Sequence, residues 1–338
     1  MNLVFNNDES YARSSSDSSE ILRDKLTSLY DARSYVFSSG MNAISTLLHV
    51  ILDSKPSWKI VYANELYTDL PRLFNYFRQT KNNVSLFPID ITDNNSIIDL
   101  LHKTKNNNVI LYFETCSNPH GNIFDFDLIK QLKSENPNLI VIVDNTWVTS
   151  AIFNPLDYGA DFVVGSLTKY YSNSNAMGGF IASNSLLTDE VWEYIRFHGL
   201  HVSPHDCQVI NDNIDTLSTR MSKAYNNMLD LFRLLGTDPR FKDITHPCLP
   251  WHPSHSRYLK YLCSDIGPSV FTMKIKGNAK AIKALTNKFT HITYKTSFGG
   301  SDTRFDPWYK GTKSGYISCR LSIGYDSDAS DILRDLTQ

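Results

Sequence analysis

The sequence has few cysteines, little net charge and no long apolar run, and each of these features argues against one class of protein. Its five cysteines form an odd set without a C-x-x-C spacing, which disfavours a disulfide framework or a structural zinc site and favours a reducing compartment. The formal charge of −2 over 338 residues gives no electrostatic basis for binding nucleic acid or an acidic membrane.

The apolar runs are all shorter than the roughly 20 residues that a transmembrane helix needs. The first twenty residues are polar and lack the apolar core of a signal peptide. We therefore expect a soluble, cytoplasmic protein. The apolar content of 41% is that of a globular chain, and the length suits one large and one smaller domain.

Short apolar runs alternate with helix-like segments in the first half of the chain. The runs at 109–113, 139–143 and 162–164 are unbroken, which is typical of strands covered on both faces. The pattern of residues 42–52, by contrast, is helical. This alternation predicts a mostly parallel α/β sheet, whose functional residues lie at the carboxyl ends of the strands.

The pattern changes beyond residue 205. Residues 205–235 are helical in pattern, whereas apolar and polar residues alternate at 271–276 and at 317–323, as in half-buried strands. A small α+β domain is therefore expected at the carboxyl end. The chain is predicted to comprise an N-terminal arm and helix, a large α/β domain, and a linking helix with a small α+β domain, at residues 1–30, 31–205 and 206–338.

Two of the predicted strand ends carry groups that suit an anionic or cationic ligand. The segment 38–41, Ser-Ser-Gly-Met, joins a strand to a helix, and the amide groups that begin a helix suit a phosphate. Asp144 ends a buried strand, where an unpaired carboxylate is costly. It could pair with a protonated pyridine nitrogen. A plain helix cap in the first case, and a cap or turn aspartate in the second, are the alternative interpretations.

A third strand end leads to Lys169, in the segment 166–170, Ser-Leu-Thr-Lys-Tyr. A lysine in a desolvated pocket can lose its proton and attack an aldehyde, and the two hydroxyl groups before it can bind phosphate oxygens. A lone lysine would be a solvated surface charge. The combination with the hydroxyl groups and with Gly178 and Gly179 favours the chemical interpretation.

The motifs that carry these residues resemble, in order, those of the pyridoxal 5′-phosphate (PLP)-dependent enzymes of Cys/Met metabolism, the trans-sulfuration enzymes. The resemblance covers nearly the whole chain. Its carriers are YARS (11–14), SSGMNAIS (38–45), ELYTDLPRLF (65–74), ETCSNPHGNIFD (114–125), VDNTW (143–147), PLDYGADFVVGSLTKY (155–170), SFGG (297–300) and CRLSIGYD (319–326).

The resemblance implies an aminotransferase-like fold of type I, with a large mostly parallel sheet domain and a smaller C-terminal α+β domain. It implies that Lys169 binds PLP as a Schiff base and later moves protons. Asp144 would pair with the pyridinium nitrogen, and Tyr67 would stack on the ring. Asn118 would bond the ring hydroxyl group and Thr146 would lie against the ring.

Further implied contacts hold the cofactor phosphate. Two backbone amides, of Gly40 and Met41, and two hydroxyl groups, of Ser166 and Thr168, would bind it. Tyr11 and Arg13 would reach the phosphate of a neighbouring subunit. The implied assembly is a homo-oligomer whose subunits share active sites, with a homotetramer expected and a dimer left open.

The resemblance also implies a substrate site. Arg320 would clamp the substrate carboxylate, because a planar guanidinium binds it through two hydrogen bonds. Ser297 would help to orient the lysine or the substrate, and Asn118 would contribute to substrate binding. The implied catalytic residues are Lys169, Tyr67 and Ser297, and no metal is implied.

The expected activity is γ-replacement or γ-elimination on homoserine-ester or cystathionine-type amino acids, as in cystathionine γ-synthase and γ-lyase. Methionine γ-lyase, cystathionine β-lyase and O-acylhomoserine sulfhydrylase activities stay open, as does a catalytically inert relative that keeps the fold. No cysteine closely follows Tyr67, which disfavours methionine γ-lyase. Neither nucleic acid nor a membrane is expected as a partner.

Several places depart from the family pattern, among them the segment after YARS (11–14), where Ser15-Ser16-Asp17 stands in place of Asn-Pro-Thr. Thr68 and Asp69 follow Tyr67 where the family has paired glycines, and residues 172–175 replace a Gly-His-Ser-Asp loop after Lys169. Thr296 stands where γ-lyases and γ-synthases often carry an acidic residue. These departures affect the expected substrate more than the expected cofactor.

Overall fold

The computed structural model describes residues 16–81, 83–185, 188–236, 238–262, 264–309 and 315–338. The chain divides into two compact units. The first comprises the chain up to Asn118 together with Asn122–Ile214, and the second comprises Pro119–Gly121 and Asp215–Gln338. We retain the division into residues 1–30, 31–205 and 206–338 as a proposal.

A seven-stranded sheet forms the centre of the first unit. Its strands are β1 (Arg33–Phe37), β2 (Trp58–Ala63), β3 (Val84–Ile89), β4 (Val109–Glu114), β5 (Leu139–Asp144), β6 (Phe162–Ser166) and β7 (Gly179–Ser183). They lie in the order β1-β7-β6-β5-β4-β2-β3, and only the pairings of β7 with β1 and with β6 are antiparallel. The predicted mostly parallel sheet is confirmed.

Helices cover this sheet because each presents an apolar stripe. In α2, for example, Ala43, Leu47 and Ile51 recur at helical spacing and are fully buried. The helices of the first unit are α1 (Asp17–Tyr30), α2 (Gly40–Asp53), α3 (Leu70–Thr80), α4 (Asn94–Lys103), α5 (Leu128–Glu135), α6 (Thr188–His198) and α7 (Pro204–Ile214).

The second unit is a five-stranded sheet with helices. Its helices are α8 (Leu217–Leu235), α9 (His255–Tyr261), α10 (Ala279–Thr286) and α11 (Ala329–Thr337), and its strands are β8 (Phe241–Thr245), β9 (Val270–Lys276), β10 (Ile292–Tyr294), β11 (Thr303–Trp308) and β12 (Tyr316–Ser322). The strand order is β10-β11-β12-β9-β8. The predicted helix over 205–235 is therefore two helices, α7 and α8, interrupted at Asp215 and Thr216.

Apolar residues that alternate along β9, β11 and β12 form one core with α8 and α11. Members of this core are Met228, Leu231, Phe271, Met273, Phe305, Cys319, Leu321 and Ile332. The polar residues between them lie on the opposite face of the sheet. In the part of the chain that the structure describes, no helix is long and apolar enough to cross a bilayer.

A buried carboxylate on α11 fixes the chain that leads into β10. Asp335 is 0% exposed, and its Oδ2 accepts the backbone N–H groups of Thr290 (2.9 Å), His291 (2.6 Å) and Ile292 (2.9 Å). Burial by itself would raise the pKa of Asp335, but these hydrogen bonds outweigh it and the pKa lies below its ordinary value. Ionised Asp335 therefore stabilises the fold.

We expect Asp335→Ala to lower the free energy of unfolding by about 3–5 kcal/mol, because it leaves three backbone amides without their acceptor. The loss is expected in full above the unfolded pKa of about 3.9. It should shrink as the pH falls through the lower folded pKa, where the wild-type carboxylate also becomes protonated. Urea unfolding followed by circular dichroism at several pH values measures both effects.

The control is Asp331→Asn on the same helix, where a partly exposed carboxylate pairs with Arg334. It should cost no more than about 1 kcal/mol. An equal loss in the two variants would contradict a special role for Asp335.

Candidate active site

Three neighbouring parallel strands end in polar residues at one edge of the first sheet. β4 ends at Glu114, β5 at Asp144 and β6 at Ser166, and Glu114 is the direct ladder partner of Asp144. Lys169 follows three residues after Ser166. The carboxyl edge of the sheet therefore brings together the residues that were predicted from separate strand ends.

Asp144 is only 9% exposed, and its Oδ1 accepts the backbone N–H (2.9 Å) and the hydroxyl group (2.5 Å) of Thr146. Burial raises its pKa, while Thr146 and the neighbouring Tyr112 hydroxyl group lower it in part. Among the described residues Asp144 forms no ion pair. A buried carboxylate without a cation suits a ligand that brings one, such as a protonated pyridine nitrogen.

Thr146 connects Asp144 to the next strand. Its hydroxyl oxygen accepts the backbone N–H of Ser166 at 2.9 Å while the hydroxyl proton goes to Asp144. The Thr146 side chain thus links the Asp144 carboxylate to the backbone of Ser166 through two hydrogen bonds.

Glu114 is a residue of this edge that sequence reasoning missed. It is 6% exposed, and its two carboxylate oxygens accept the backbone N–H groups of Tyr67 (Oε1, 2.6 Å) and Asn118 (Oε2, 3.0 Å). One carboxylate therefore positions two predicted site residues from different loops. The available signal was its place at the end of a fully buried strand, as for Asp144.

A second carboxylate joins the same loops. Glu65 Oε2 accepts the hydroxyl group of Ser117 (2.7 Å) and the side-chain amide of Asn122 (3.0 Å). The chain after β2 and the chain after β4 are therefore linked at two points.

Tyr67 is 44% exposed, and its hydroxyl group donates to Asp69 Oδ2 at 3.2 Å. Arg72 donates to the other oxygen of Asp69 at 3.0 Å. Burial raises the pKa of Tyr67, and the negative charge of Asp69 raises it further, so the phenol is kept protonated. Asp69, at a position where the resemblance implies a glycine, thus accepts a hydrogen bond from the predicted ring-stacking residue.

The turn between β1 and α2 packs closely against β6 and β7. A Cβ atom on Gly40 would lie 3.1 Å from Ser166 Cβ, and one on Gly179 would lie 2.3 Å from the Ser39 carbonyl oxygen. These glycines allow the amino end of α2, with the amides of Gly40 and Met41, to lie beside Ser166. The first turn of a helix next to a hydroxyl group suits an anion.

Thr168 has a backbone partner in this structure. Its hydroxyl group accepts the N–H of Gly178 at 3.1 Å and lies 3.3 Å from the carbonyl oxygen of Gly178. The predicted contact of Thr168 with a phosphate stays a proposal.

Lys169 is half-buried and lies in a tight turn. Its carbonyl oxygen accepts the N–H of Ser174 at 2.9 Å, and both Asn173 (φ 56°) and Ser174 (φ 60°) adopt the left-handed conformation. Two successive non-glycine residues in this region are costly, and such strain concentrates at functional sites.

The other predicted residues lie in the second unit or outside the described residues. Arg320 is 6% exposed, pairs with Asp306 Oδ2 at 3.3 Å and donates to the carbonyl oxygen of Thr296, next to half-buried Ser297. The structure therefore places Arg320 beside the loop that carries Ser297. Tyr11 and Arg13 precede the described part of the chain, so their predicted contacts are not tested by the structure.

Comparison with known proteins gives one consistent family. The family described as Cys/Met metabolism PLP-dependent enzymes matches residues 5–306. L-methionine gamma-lyase of Fusobacterium nucleatum subsp. polymorphum is 29% identical over 97% of this chain and 85% of the relative. Cystathionine gamma-lyase of Mus musculus is 29% identical over 96% of this chain and 83% of the relative.

A solved structure has the same fold. Cystathionine gamma synthase from Xanthomonas oryzae pv. oryzae, in complex with cystathionine, superposes with a TM-score of 0.85 at 25% identity, over 98% of this chain and 88% of that one. The buried Asp144, the amino end of α2 beside Ser166, and the turn that holds Lys169 fit the cofactor of this family. The chain belongs to the PLP-dependent enzymes of Cys/Met metabolism.

Proposed function

We propose that this chain is a trans-sulfuration enzyme that catalyses γ-replacement or γ-elimination on homoserine-ester or cystathionine-type amino acids. The observation that carries the proposal is Asp144, a buried carboxylate without a cationic partner in the described chain, one strand away from the strand that leads to Lys169. Bound PLP supplies an electron sink for negative charge that develops on the substrate.

The residues of the first unit hold and serve the cofactor in this proposal. Lys169 would hold the cofactor aldehyde through its Nζ, and the same amine would carry protons between substrate atoms. Asp144 keeps the pyridine nitrogen protonated, and Thr146 fixes the orientation of that carboxylate. Tyr67 would pack on the cofactor ring and Asn118 would bond the ring hydroxyl group, and Glu114 accepts the backbone N–H groups of both residues.

The phosphate and the substrate have separate proposed contacts. The backbone amides of Gly40 and Met41 and the hydroxyl groups of Ser166 and Thr168 would bind phosphate oxygens. Tyr11 and Arg13 of a neighbouring subunit would add further contacts. Arg320 binds the substrate carboxylate, for which its planar guanidinium is suited. Ser297 and Asn118 orient the substrate. A homo-oligomer and a cytoplasmic location are part of the proposal.

A product analysis tests this function. The purified PLP-loaded enzyme is incubated with L-cystathionine, with L-methionine, and with O-acetyl- or O-succinylhomoserine plus cysteine, and the keto acids and thioethers are identified by mass spectrometry. We expect 2-oxobutanoate from elimination at Cγ, or cystathionine from replacement.

Other outcomes decide against the proposal in distinct ways. Pyruvate from cystathionine would assign β-chemistry instead, and turnover of methionine alone would assign a methionine γ-lyase. A protein that binds PLP and turns over none of these compounds would be the inert relative.

A further inference from the structure

The polar face of the second sheet carries two buried arginines. Arg304 and Asp306 alternate on β11 with Phe305, whose side chain belongs to the apolar core. Asp306 is the ladder partner of Arg320 on β12. Because ladder partners point to one side of a sheet and alternate residues share a side, Arg304, Asp306 and Arg320 lie on the same face.

Arg304 is 6% exposed and has unused hydrogen-bonding capacity. Its Nη1 donates to the carbonyl oxygen of Phe298 at 3.3 Å, and its Nη2 donates to Asp302 Oδ1 at 3.2 Å. Both bonds are longer than the roughly 2.7–2.9 Å of a strong charge-assisted bond. Its Nε is buried and has no hydrogen-bond partner among the described residues. A guanidinium is costly to bury with donors unused.

Arg304 and Arg320 border the same loop. Arg304 donates a hydrogen bond to the carbonyl oxygen of Phe298. The guanidinium of Arg320 lies 5.8 Å from the centre of the Phe298 ring. The two arginines are diagonal neighbours in an antiparallel pair, a relation that places their Cα atoms about 7–8 Å apart. Gly300 makes room for this arrangement, since a Cβ atom there would lie 2.5 Å from Arg304 Nη2.

We propose that Arg304 is a second carboxylate-binding residue, which recognises the distal carboxylate of a dicarboxylic amino acid while Arg320 binds the α-carboxylate. The proposal rests on the proposed function and names the substrate class as an amino acid with a second carboxylate, of the cystathionine type. Arg320 is as buried as Arg304 and likewise pairs with an aspartate, so the two residues offer similar sites.

The pair that Arg304 forms with Asp302 suits a zwitterionic substrate end. The side chain of Asp302 is 34% exposed, whereas that of Arg304 is 7% exposed. In this proposal the guanidinium of Arg304 donates hydrogen bonds to the distal carboxylate, while the carboxylate of Asp302 accepts a hydrogen bond from the distal ammonium group. A substrate with an apolar end, such as methionine, offers nothing to either residue.

The test uses two unreactive amino acids that differ only at the far end. L-2-Aminoadipate carries a distal carboxylate, and L-norleucine has a methyl group in its place. Their dissociation constants for the PLP-loaded enzyme are measured by calorimetry in the wild type, in Arg304→Met, and in the surface control Arg233→Met. Arg233 lies on α8 and is exposed.

We expect the wild type to bind L-2-aminoadipate more tightly than L-norleucine. Arg304→Met should raise the dissociation constant of L-2-aminoadipate by about 10- to 100-fold, as for the loss of a charged hydrogen-bonding partner. The dissociation constant of L-norleucine should change by less than about 2-fold. The KM for cystathionine should rise by a similar factor with kcat little changed. Arg233→Met should behave as the wild type.

An equal weakening of both ligands would make Arg304 an anchor of the loop and overturn the proposal, as would equal binding of both by the wild type. If Arg304→Met fails to fold, Arg304→Lys keeps the charge without the planar fork and should still weaken L-2-aminoadipate selectively. Binding needs no turnover, so an enzyme without sulfur amino-acid activity would refute the proposed function and leave the ligand comparison decisive for Arg304.

Discussion

Replacing Lys169 with alanine is expected to lower turnover of every amino-acid substrate by at least about 10⁴-fold, because the variant loses both the covalent attachment of the cofactor and the group that moves protons. The fold should be retained. Lys169 is half-buried in a turn whose hydrogen bond to Ser174 uses the backbone. Activity assays, the absorbance of bound cofactor before and after borohydride, and circular dichroism measure the three effects.

Two control variants sharpen this experiment. Lys169→Arg keeps a positive charge but cannot bond an aldehyde, and it should be as inactive as the alanine variant. Lys130→Ala removes an exposed lysine of α5 and should leave kcat within about 2-fold, as for most surface changes. Turnover retained in Lys169→Ala would refute the assignment of this residue.

The second large effect is expected from Asp144→Asn. The amide cannot form an ion pair with a protonated pyridine nitrogen, and the loss of a buried charge pair of about 3–5 kcal/mol corresponds to a fall in kcat/KM of about 10²- to 10⁴-fold. The local fold should survive, because the amide oxygen of asparagine can still accept both hydrogen bonds of Thr146. Steady-state kinetics and the dissociation constant of PLP measure the effect.

Asp161→Asn is the matched control. Asp161 immediately precedes β6, at the opposite end of that strand from Ser166, and it pairs with Lys133 at 2.6 Å and accepts the N–H of Val141 at 2.8 Å. We expect this change to reduce stability and to leave kcat of the folded enzyme within about 2-fold. An effect on kcat as large as that of Asp144→Asn would show that the loss comes from the sheet and not from the charge.

The parallel centre of the first sheet was predictable because strands that are buried on both faces have unbroken apolar runs in the sequence. Strands β4 and β5 are apolar along nearly their full length, and both were recognised. β3 was missed since it lies at the sheet edge, contains Pro88 and is only partly buried. β7 was also not predicted, and its antiparallel direction could not be read from the sequence, because its five buried residues have the composition of a parallel strand.

The site was predictable where a single strand end carries the chemistry. Asp144 and Lys169 each follow an apolar run, and the structure brings them to one edge. Glu114 was missed because its two partners, Tyr67 and Asn118, belong to loops that meet only after β2 and β4 have paired. Arg304 was missed for a similar reason, since its relation to Arg320 depends on the register of two strands.

The double attachment at Glu114 limits how this enzyme can be re-engineered. A loop graft that replaces the chain around Tyr67 keeps its anchor only if the new backbone presents an amide to the same carboxylate oxygen, 47 positions away in sequence. Shifting that anchor would also disturb Asn118, which uses the other oxygen. The two loops are therefore structurally coupled, and chimaeras with relatives should exchange them together.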